Sequence, residues 1–143
     1  MIIRPGMASD FATVTAWLHA AGLPTADLEE THMQNFLVAV ADEAPVGMVG
    51  LEEFTDIGLL RSLVVDPEAR SAGIGRQLVA ALEADAVSKG IMELWLLTID
   101  ADDYFAKLGY ETTTRDVAPL SIRNTQEFSG LCPGDATLMK KVL

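Results

Sequence analysis

The chain has 143 residues, half of them apolar, and its formal net charge at pH 7 is −11. This length and composition predict a single folded domain over residues 1–143 and exclude an overall disordered chain. The acidic excess argues against a nucleic-acid partner, and no apolar run approaches the roughly 18 residues of a membrane span. The one cysteine, Cys132, excludes an internal disulfide and, with an N-terminus that lacks a signal-peptide layout, predicts a cytoplasmic protein.

The first third of the chain alternates apolar segments with turn residues, which is typical of strands joined by tight loops around a helix. Ser9 is a good N-cap for that helix, and Gly22 is expected to end it. The predicted elements are, in order, a strand over residues 2–4, a helix over residues 9–21, a short helix over residues 26–31, and strands over residues 35–40 and 46–54.

A nearly continuous apolar run over residues 59–65 predicts a buried central strand that carries one charge, Arg61. Pro67 ends this strand because proline has no N–H for the ladder. An amphipathic helix follows from about residue 74 and closes at Gly90, a glycine in the C′ position. The strand, loop and helix therefore form one structural unit.

The loop over residues 70–75 contains Gly73 and Gly75, which allow a ligand to approach the backbone closely. The first N–H groups of the helix lack intrahelical partners, and the helix dipole is positive at this end. The loop therefore predicts a site for an anion such as a pyrophosphate, with Arg70 and Arg76 supplying charge-assisted hydrogen bonds. A turn whose glycines serve packing alone is the alternative.

The last third of the chain again mixes strand and turn patterns. The predicted elements are a strand over residues 111–115, a turn or short helix over residues 118–124, a turn capped by Thr125 over residues 125–131, and a final strand over residues 136–143.

The strand, the arginine and the two glycines together resemble the acetyl-CoA-binding motif of the GNAT N-acetyltransferases, Arg/Gln-x-x-Gly-x-Gly/Ala. Residues 94–110 resemble a second family segment, the fifth strand, the fourth helix and the Gly-Phe/Tyr entry to the sixth strand. The resemblance implies an α+β GNAT fold: a mixed, mostly antiparallel central sheet of six to seven strands, splayed at the CoA site and flanked by about four helices. It also implies acetyl-CoA as co-substrate and no metal.

The resemblance implies which residues bind CoA. In the family, the strand bonds the pantetheine arm through its backbone, and the loop amides hold the pyrophosphate. A backbone N–H at Val64 or Val65 is then expected to polarise the thioester carbonyl. The implied contacts are Leu63, Val64 and Val65 in the strand, Arg70, Ser71, Ala72, Gly73, Ile74, Gly75 and Arg76 in the loop and helix start, and Phe105 against the pantetheine arm.

Acetyl transfer to an amine needs a neutral nucleophile and a proton for the departing thiolate. The tyrosine acid of the family stands at the position of Phe105, whereas here the hydroxyl lies one residue earlier, at Tyr104, a rotation of about 100° on a helix. Tyr104 is therefore either the acid or a residue packed beneath the sheet. Glu52 and Glu53 point to opposite faces of their strand, and we predict Glu52 as the base. Two solvated carboxylates, or a water chain, are the alternatives.

A charge inside an apolar strand is costly unless it has a partner. The planar fork of Arg61 matches a carboxylate. We therefore predict that Arg61 binds the carboxylate of an amino-acid acceptor, with an intramolecular pair to Glu52 or Glu53 as the alternative. Arg123 is a second candidate for substrate binding.

Residues 21–28, 59–63, 96–98 with 104–105, and 122–133 further resemble small acetyltransferases associated with bacterial arsenic-resistance operons, relatives of the acetyltransferase domain of N-acetylglutamate synthase. The predicted function is acetylation, by direct amine attack, of a small glutamate-like amino acid or an arsenic- or phosphorus-containing analogue. A peptide or protein N-acetyltransferase and a non-catalytic CoA sensor are the alternatives. Dimers are frequent in the family, so a homodimer is compatible with the sequence.

Overall fold

The computed structural model describes residues 1–23, 25–125, 128 and 136–143, with the backbone alone for residues 70–72. The strands are β1 (Ile2–Pro5), β2 (Phe36–Ala41), β3 (Ala44–Phe54), β4 (Ile57–Val65), β5 (Glu93–Thr98), β6 (Glu111–Thr113) and β7 (Thr137–Val142). The α-helices are α1 (Phe11–Ala20), α2 (Ile74–Ser88), α3 (Asp102–Lys107) and α4 (Leu120–Arg123). Across the described residues, the strands form one sheet in the order β1-β2-β3-β4-β5-β7-β6.

The sheet opens between β4 and β5. Among the described strand pairs these two run parallel, and the others are antiparallel. Their ladder joins residues 57–59 to residues 93–95, although β4 continues to Val65 and β5 to Thr98. The two strands therefore diverge at their carboxyl ends, which confirms the predicted mixed, splayed α+β sheet.

The two faces of the sheet are covered by different helices. The predicted apolar stripe of α2 is confirmed, because Ile74, Leu78, Leu82 and Ala86 are buried against the sheet. Helix α2 ends at Ser88, and Gly90, in the C′ position after the C-cap Lys89 as predicted, has a φ of 83°. Helix α1 belongs to a separate cluster on the other side, in which Val14, Leu18, Phe36 and Val64 pack together.

The start of α1 differs from the prediction. A turn of 3₁₀ helix at Ala8–Asp10 precedes α1, and Asp10 rather than Ser9 supplies the capping carboxylate. Its oxygens accept the Met7 backbone N–H at 2.7 Å and two bonds from the Arg4 guanidinium at 2.9 and 3.0 Å. The strand β1 and the helix are thus tied together by a charge that the local capping pattern did not identify.

The predicted short helix over residues 26–31 is wrong. The chain makes a turn in which the Leu28 N–H bonds to the Thr25 carbonyl at 3.0 Å, and a 3₁₀ helix then covers Glu30–Asn35. The physical reason lies in the two neighbouring side chains. Leu28 is buried against α1, while Asp27 pairs with Arg61 on the sheet, so this segment is held by tertiary contacts rather than by helix propensity.

Towards the C-terminus, β6 is shorter than predicted because a 3₁₀ turn at Arg115–Val117 interrupts it. The short helix α4 confirms the prediction for residues 118–124. Thr125 Oγ1 accepts the Phe128 N–H at 3.2 Å, as expected of a capping residue. Most of the predicted turn over residues 125–131, and Cys132 directly after it, lie outside the described residues. In the described part of the chain, no helix has the length and apolar character needed to cross a membrane.

Candidate active site

The opening of the sheet forms a cleft, here called the β4–α2 cleft, of about 290 Å³. Its lining residues come from the end of α1, the carboxyl end of β4, the start of α2 and helix α3: Ala21, Leu63, Val64, Val65, Gly75 and Tyr104. Strand β4 enters this cleft through an irregularity in its pairing with β3, at the point where the buried Ser62 adopts a φ of 60°. A bulge of this kind re-aims the residues that follow it.

The start of α2 has the backbone that the sequence predicts for an anion site. Gly73 is the N-cap, with a φ of 72° that suits glycine. The preceding 3₁₀ turn, Pro67–Ala72, is capped by Asp66, whose carboxylate accepts the Glu68 N–H at 3.1 Å. Arg70, Ser71 and Ala72 lie in this turn, with their side chains outside the described atoms. Arg76 is exposed on the first turn of α2.

Tyr104, not Phe105, faces the β4–α2 cleft. The Tyr104 side chain is 40% exposed, and burial raises the pKa of its hydroxyl while Arg76 opposes the rise. Phe105 is 6% exposed and packs in the α2 core, edge to face with Tyr104 at 5.4 Å and with Tyr110 at 5.7 Å between ring centroids. Phe105 does not line the cleft, so its predicted contact with the pantetheine arm gains no support from this packing.

A second cleft, the Arg61 cleft, has a volume of about 160 Å³ and lies beside the middle of β4. The residues that line it come from the loop after α1, the 3₁₀ helix before β2 and strands β2 to β4: Asp27, Leu28, His32, Asn35, Phe36, Leu51, Glu52 and Arg61. Arg61 and Leu63 are only two residues apart on β4. The two clefts are therefore lined by consecutive parts of the same strand.

Arg61 is almost fully buried, with 3% of its side chain exposed, and the chain itself supplies partners. Both Nη atoms donate to the Asp27 carboxylate, the Nη2 bond measuring 2.9 Å. Nε donates to Ser62 Oγ at 3.1 Å. Sequence reasoning predicted Glu52 or Glu53 as the intramolecular alternative, but the bidentate partner is Asp27. Acceptor binding by Arg61 stays a prediction, and an acceptor carboxylate would compete with Asp27 for this fork.

Glu52 lies in the same cleft. Its Oε2 is 3.5 Å from Arg61 Nη1, and this oxygen is buried without a hydrogen bond. Burial raises the pKa of Glu52, and the charge of Arg61 opposes the rise. The neighbouring Glu53 bonds instead to Lys89 at the end of α2, at 2.8 Å. The expected opposite orientation of the two glutamates is therefore confirmed, with Glu52 facing the cleft.

Arg123 is placed away from these residues. Its Nε donates to the Ala118 carbonyl at 3.0 Å and its Nη2 to the Asp116 carbonyl, so the side chain closes the turn before α4. It lines neither cleft. Substrate binding by Arg123 stays a prediction that these local bonds do not favour.

Three residues of the Arg61 cleft were missed by sequence reasoning: Asp27, His32 and Asn35. His32 Nδ1 accepts the Glu29 backbone N–H at 3.0 Å, which fixes the ring. The one available signal for Asp27 was the need of the buried Arg61 for a carboxylate, but the sequence does not select among many acidic residues. In the described part of the chain, no three His, Cys, Asp or Glu side chains are grouped as metal ligands.

The family model of the acetyltransferase (GNAT) domain matches residues 32–112, more than half of the chain. The chain belongs to the GNAT acetyltransferase family. The matched residues include β4, the glycine loop, α2 and α3, so they contain most of both clefts.

Individual relatives agree with this assignment. The chain is 29% identical over 103 residues to an amino-acid acetyltransferase of Neisseria meningitidis, a match over 71% of this GNAT chain and 24% of that protein. It is 32% identical over 92 residues to an uncharacterized N-acetyltransferase of Chlorobaculum tepidum, over 64% of this chain and 59% of that one. This GNAT chain thus spans about a quarter of the length of the amino-acid acetyltransferases it matches.

Among solved structures, N-acetylglutamate synthase from Neisseria gonorrhoeae, complexed with coenzyme A and N-acetyl-glutamate, superposes with a TM-score of 0.87 at 25% identity. The superposition covers 99% of this GNAT chain and 35% of the synthase chain. The similarity therefore extends over the whole described fold, including both clefts.

Proposed function

We propose that the protein is an acetyl-CoA-dependent N-acetyltransferase that acetylates a small amino acid by direct attack of its amine. The observation that carries this proposal is the position of Glu52 and Arg61 in one cleft beside β4, while the next residues of β4 line a second cleft at the start of α2. Donor and acceptor then bind on adjacent parts of one strand, as a direct transfer requires.

The β4–α2 cleft fits the donor. Beyond its ladder with β5, strand β4 continues through residues 60–65 along the opening of the sheet, where an extended ligand can lie beside the strand. The positive end of α2 and Arg76 suit the pyrophosphate. Bound acetyl-CoA supplies the thioester that is cleaved. The remaining chemistry belongs to side chains of this protein.

Glu52 is the proposed base and Tyr104 the proposed acid. A carboxylate of raised pKa accepts the amine proton efficiently near neutral pH. The new N–C bond forms as the C–S bond breaks, and Tyr104 donates its hydroxyl proton to the sulfur. Because the Tyr104 pKa is raised, the hydroxyl is protonated when it is needed. Water returns the proton from Glu52 to Tyr104 between turnovers.

The acceptor proposal rests on the relatives and on the Arg61 cleft. Amino-acid acetyltransferases and N-acetylglutamate synthase are among the proteins similar to this chain. A glutamate-like acceptor fits a cleft that contains an arginine, but its carboxylate must compete with Asp27 for that arginine. An arsenic- or phosphorus-bearing analogue is a narrower hypothesis, supported by the sequence resemblance alone.

The experiment is a panel of acceptors incubated with purified protein and acetyl-CoA, with acetylated product detected by mass spectrometry. The panel contains glutamate, aspartate, glutamine, lysine, and phosphorus- and arsenic-bearing glutamate analogues. We expect an acetylated free amino acid and an equal amount of released CoA. Product on glutamate and aspartate alone supports binding of the side-chain carboxylate of the acceptor by Arg61. Equal product on glutamine and lysine, which carry only the α-carboxylate, would contradict that side-chain contact.

Two further results would contradict the proposal. Acetylation of peptide amines without acetylation of any free amino acid would identify a peptide or protein N-acetyltransferase. Binding of acetyl-CoA, measured by calorimetry, without transfer to any amine would identify a CoA sensor. A cytoplasmic location and a homodimer stay predictions, checked by cell fractionation and by light scattering.

A further inference from the structure

The second glycine of the loop touches the proposed catalytic tyrosine. A Cβ built on Gly75 would lie 2.5 Å from the Tyr104 hydroxyl oxygen, a distance that real Cβ atoms essentially never show. The other close atoms, Tyr104 Cζ and Val65 Cγ2, are each 3.6 Å away, which is an ordinary contact. Of the three nearest atoms, only the Tyr104 hydroxyl oxygen would have to move if position 75 carried a side chain.

The rest of Tyr104 is anchored from the opposite side. Its ring packs edge to face on Phe105, which packs in the same way on Tyr110. The Tyr110 hydroxyl donates to Glu83 of α2 at 2.9 Å, and Lys141 bonds the same carboxylate at 3.0 Å. Helix α3 is thus connected to α2 through a chain of partly buried contacts, while the Tyr104 hydroxyl lies over the first turn of α2.

We propose that Gly75 is a positioning residue for Tyr104. Because glycine has no side chain, the Tyr104 hydroxyl oxygen can lie directly over position 75, at the β4–α2 cleft. This inference rests on the proposed function, in which Tyr104 protonates the leaving sulfur. A methyl group at position 75 displaces the hydroxyl, because the Tyr104 side chain is partly exposed and can move. The helix itself does not need the glycine, since alanine is the better helix former at that position.

The competing explanation is that Gly75 allows a phosphate to approach the backbone, as in other glycine loops. The two explanations predict different kinetics. A phosphate clash raises the KM for acetyl-CoA whether or not Tyr104 has its hydroxyl. A displaced Tyr104 lowers kcat and leaves the KM for acetyl-CoA unchanged, and this loss disappears once the hydroxyl is removed.

The test is a double-mutant cycle with Gly75→Ala and Tyr104→Phe. We expect each single variant to lower kcat by about tenfold or more, and the double variant to be no slower than Tyr104→Phe. The KM for acetyl-CoA should stay within about twofold, and the melting temperature should not fall. Gln77→Ala, on the exposed side of the same helical turn, is the control and should keep wild-type kinetics. The inference is wrong if the two substitutions lower kcat independently of each other. It is also wrong if Gly75→Ala raises the KM for acetyl-CoA both in the presence and in the absence of the Tyr104 hydroxyl.

A second readout does not depend on turnover. The ultraviolet absorbance of the wild type and of Tyr104→Phe is measured against pH. The difference between the two titration curves gives the ionisation of the Tyr104 hydroxyl. In Gly75→Ala the Tyr104 pKa should fall towards its ordinary value, because the burial that raises it is lost. An unchanged Tyr104 pKa in Gly75→Ala would overturn the positioning role. This result is independent of turnover, whereas the absence of acetylation by the wild-type protein would contradict the proposed function.

Discussion

The adjacent residues Glu52 and Glu53 lie in different environments. Glu52 is half-buried beside Arg61, whereas Glu53 meets Lys89 on the other face of the sheet. We expect Glu52→Gln to lower kcat by about 10²–10⁴-fold, the usual contribution of a positioned base. The isosteric amide keeps the shape of the cleft and cannot accept the proton.

The pH dependence of kcat/KM provides a second test of Glu52 as the base. A raised pKa means that Glu52 takes up a proton at a higher pH than an ordinary glutamate. The rate kcat/KM should therefore fall as the pH decreases through that raised pKa, and this acidic limb should be absent in Glu52→Gln. Glu53→Gln is the matched control and should keep the wild-type profile. An identical acidic limb in both variants would remove Glu52 from the role of base.

Arg61 has a structural role through its buried ion pair with Asp27. Arg61→Ala leaves Asp27 buried without its bidentate partner, and we expect the free energy of unfolding to fall by about 3–5 kcal/mol. Removing both charges in Arg61→Ala/Asp27→Ala should restore much of that loss. Urea denaturation of the wild type, the single variant and the double variant gives the three free energies of unfolding. A loss below about 1 kcal/mol for Arg61→Ala would mean that the pair is not held as the structure places it.

Single-residue roles were predicted unevenly from sequence. The orientation of Glu52 and Glu53 follows from strand alternation and was predicted. The direction of the Tyr104 side chain was left open between the cleft and the sheet, since the position of α3 above Gly75 depends on tertiary packing. Asp27 was missed because a bidentate pair between residues 34 positions apart leaves no local pattern.

At the scale of elements, the β4-loop-α2 unit was predictable because its apolar strand, its proline and glycines and the stripe of α2 are all local signals. The segment before β2 was not, because Leu28 and Asp27 are fixed by contacts to α1 and β4. Local propensity fails where a short segment is determined by distant partners.

The hairpin between β2 and β3 offers a test of local backbone strain. Its two turn residues, Asp42 and Glu43, have φ values of 52° and 65°, a left-handed pair that favours glycine at the second position. We expect Glu43→Gly to raise the free energy of unfolding by ~0.5–1 kcal/mol, since the relief of strain exceeds the added unfolded-state entropy. Glu43→Ala is the control and should give no gain in urea denaturation. A loss of stability in Glu43→Gly would contradict this account of the turn.

At the scale of the whole molecule, charge and topology act in opposite directions. The net charge of −11 repels an anionic donor at long range. The opening between β4 and β5 offers a local solution, because it combines the end of β4 with the positive end of α2. Sequence composition alone would have argued against an anionic ligand, and the fold reverses that conclusion at one place.

The central claim is that donor and acceptor meet along β4 and that the amine attacks the thioester directly. The most direct measurement is the initial rate of CoA release with both substrates varied, using the acceptor found in the panel. Direct attack requires both substrates to be bound together, so double-reciprocal plots should intersect. Parallel lines, the signature of a covalent acetyl-enzyme, would contradict the claim.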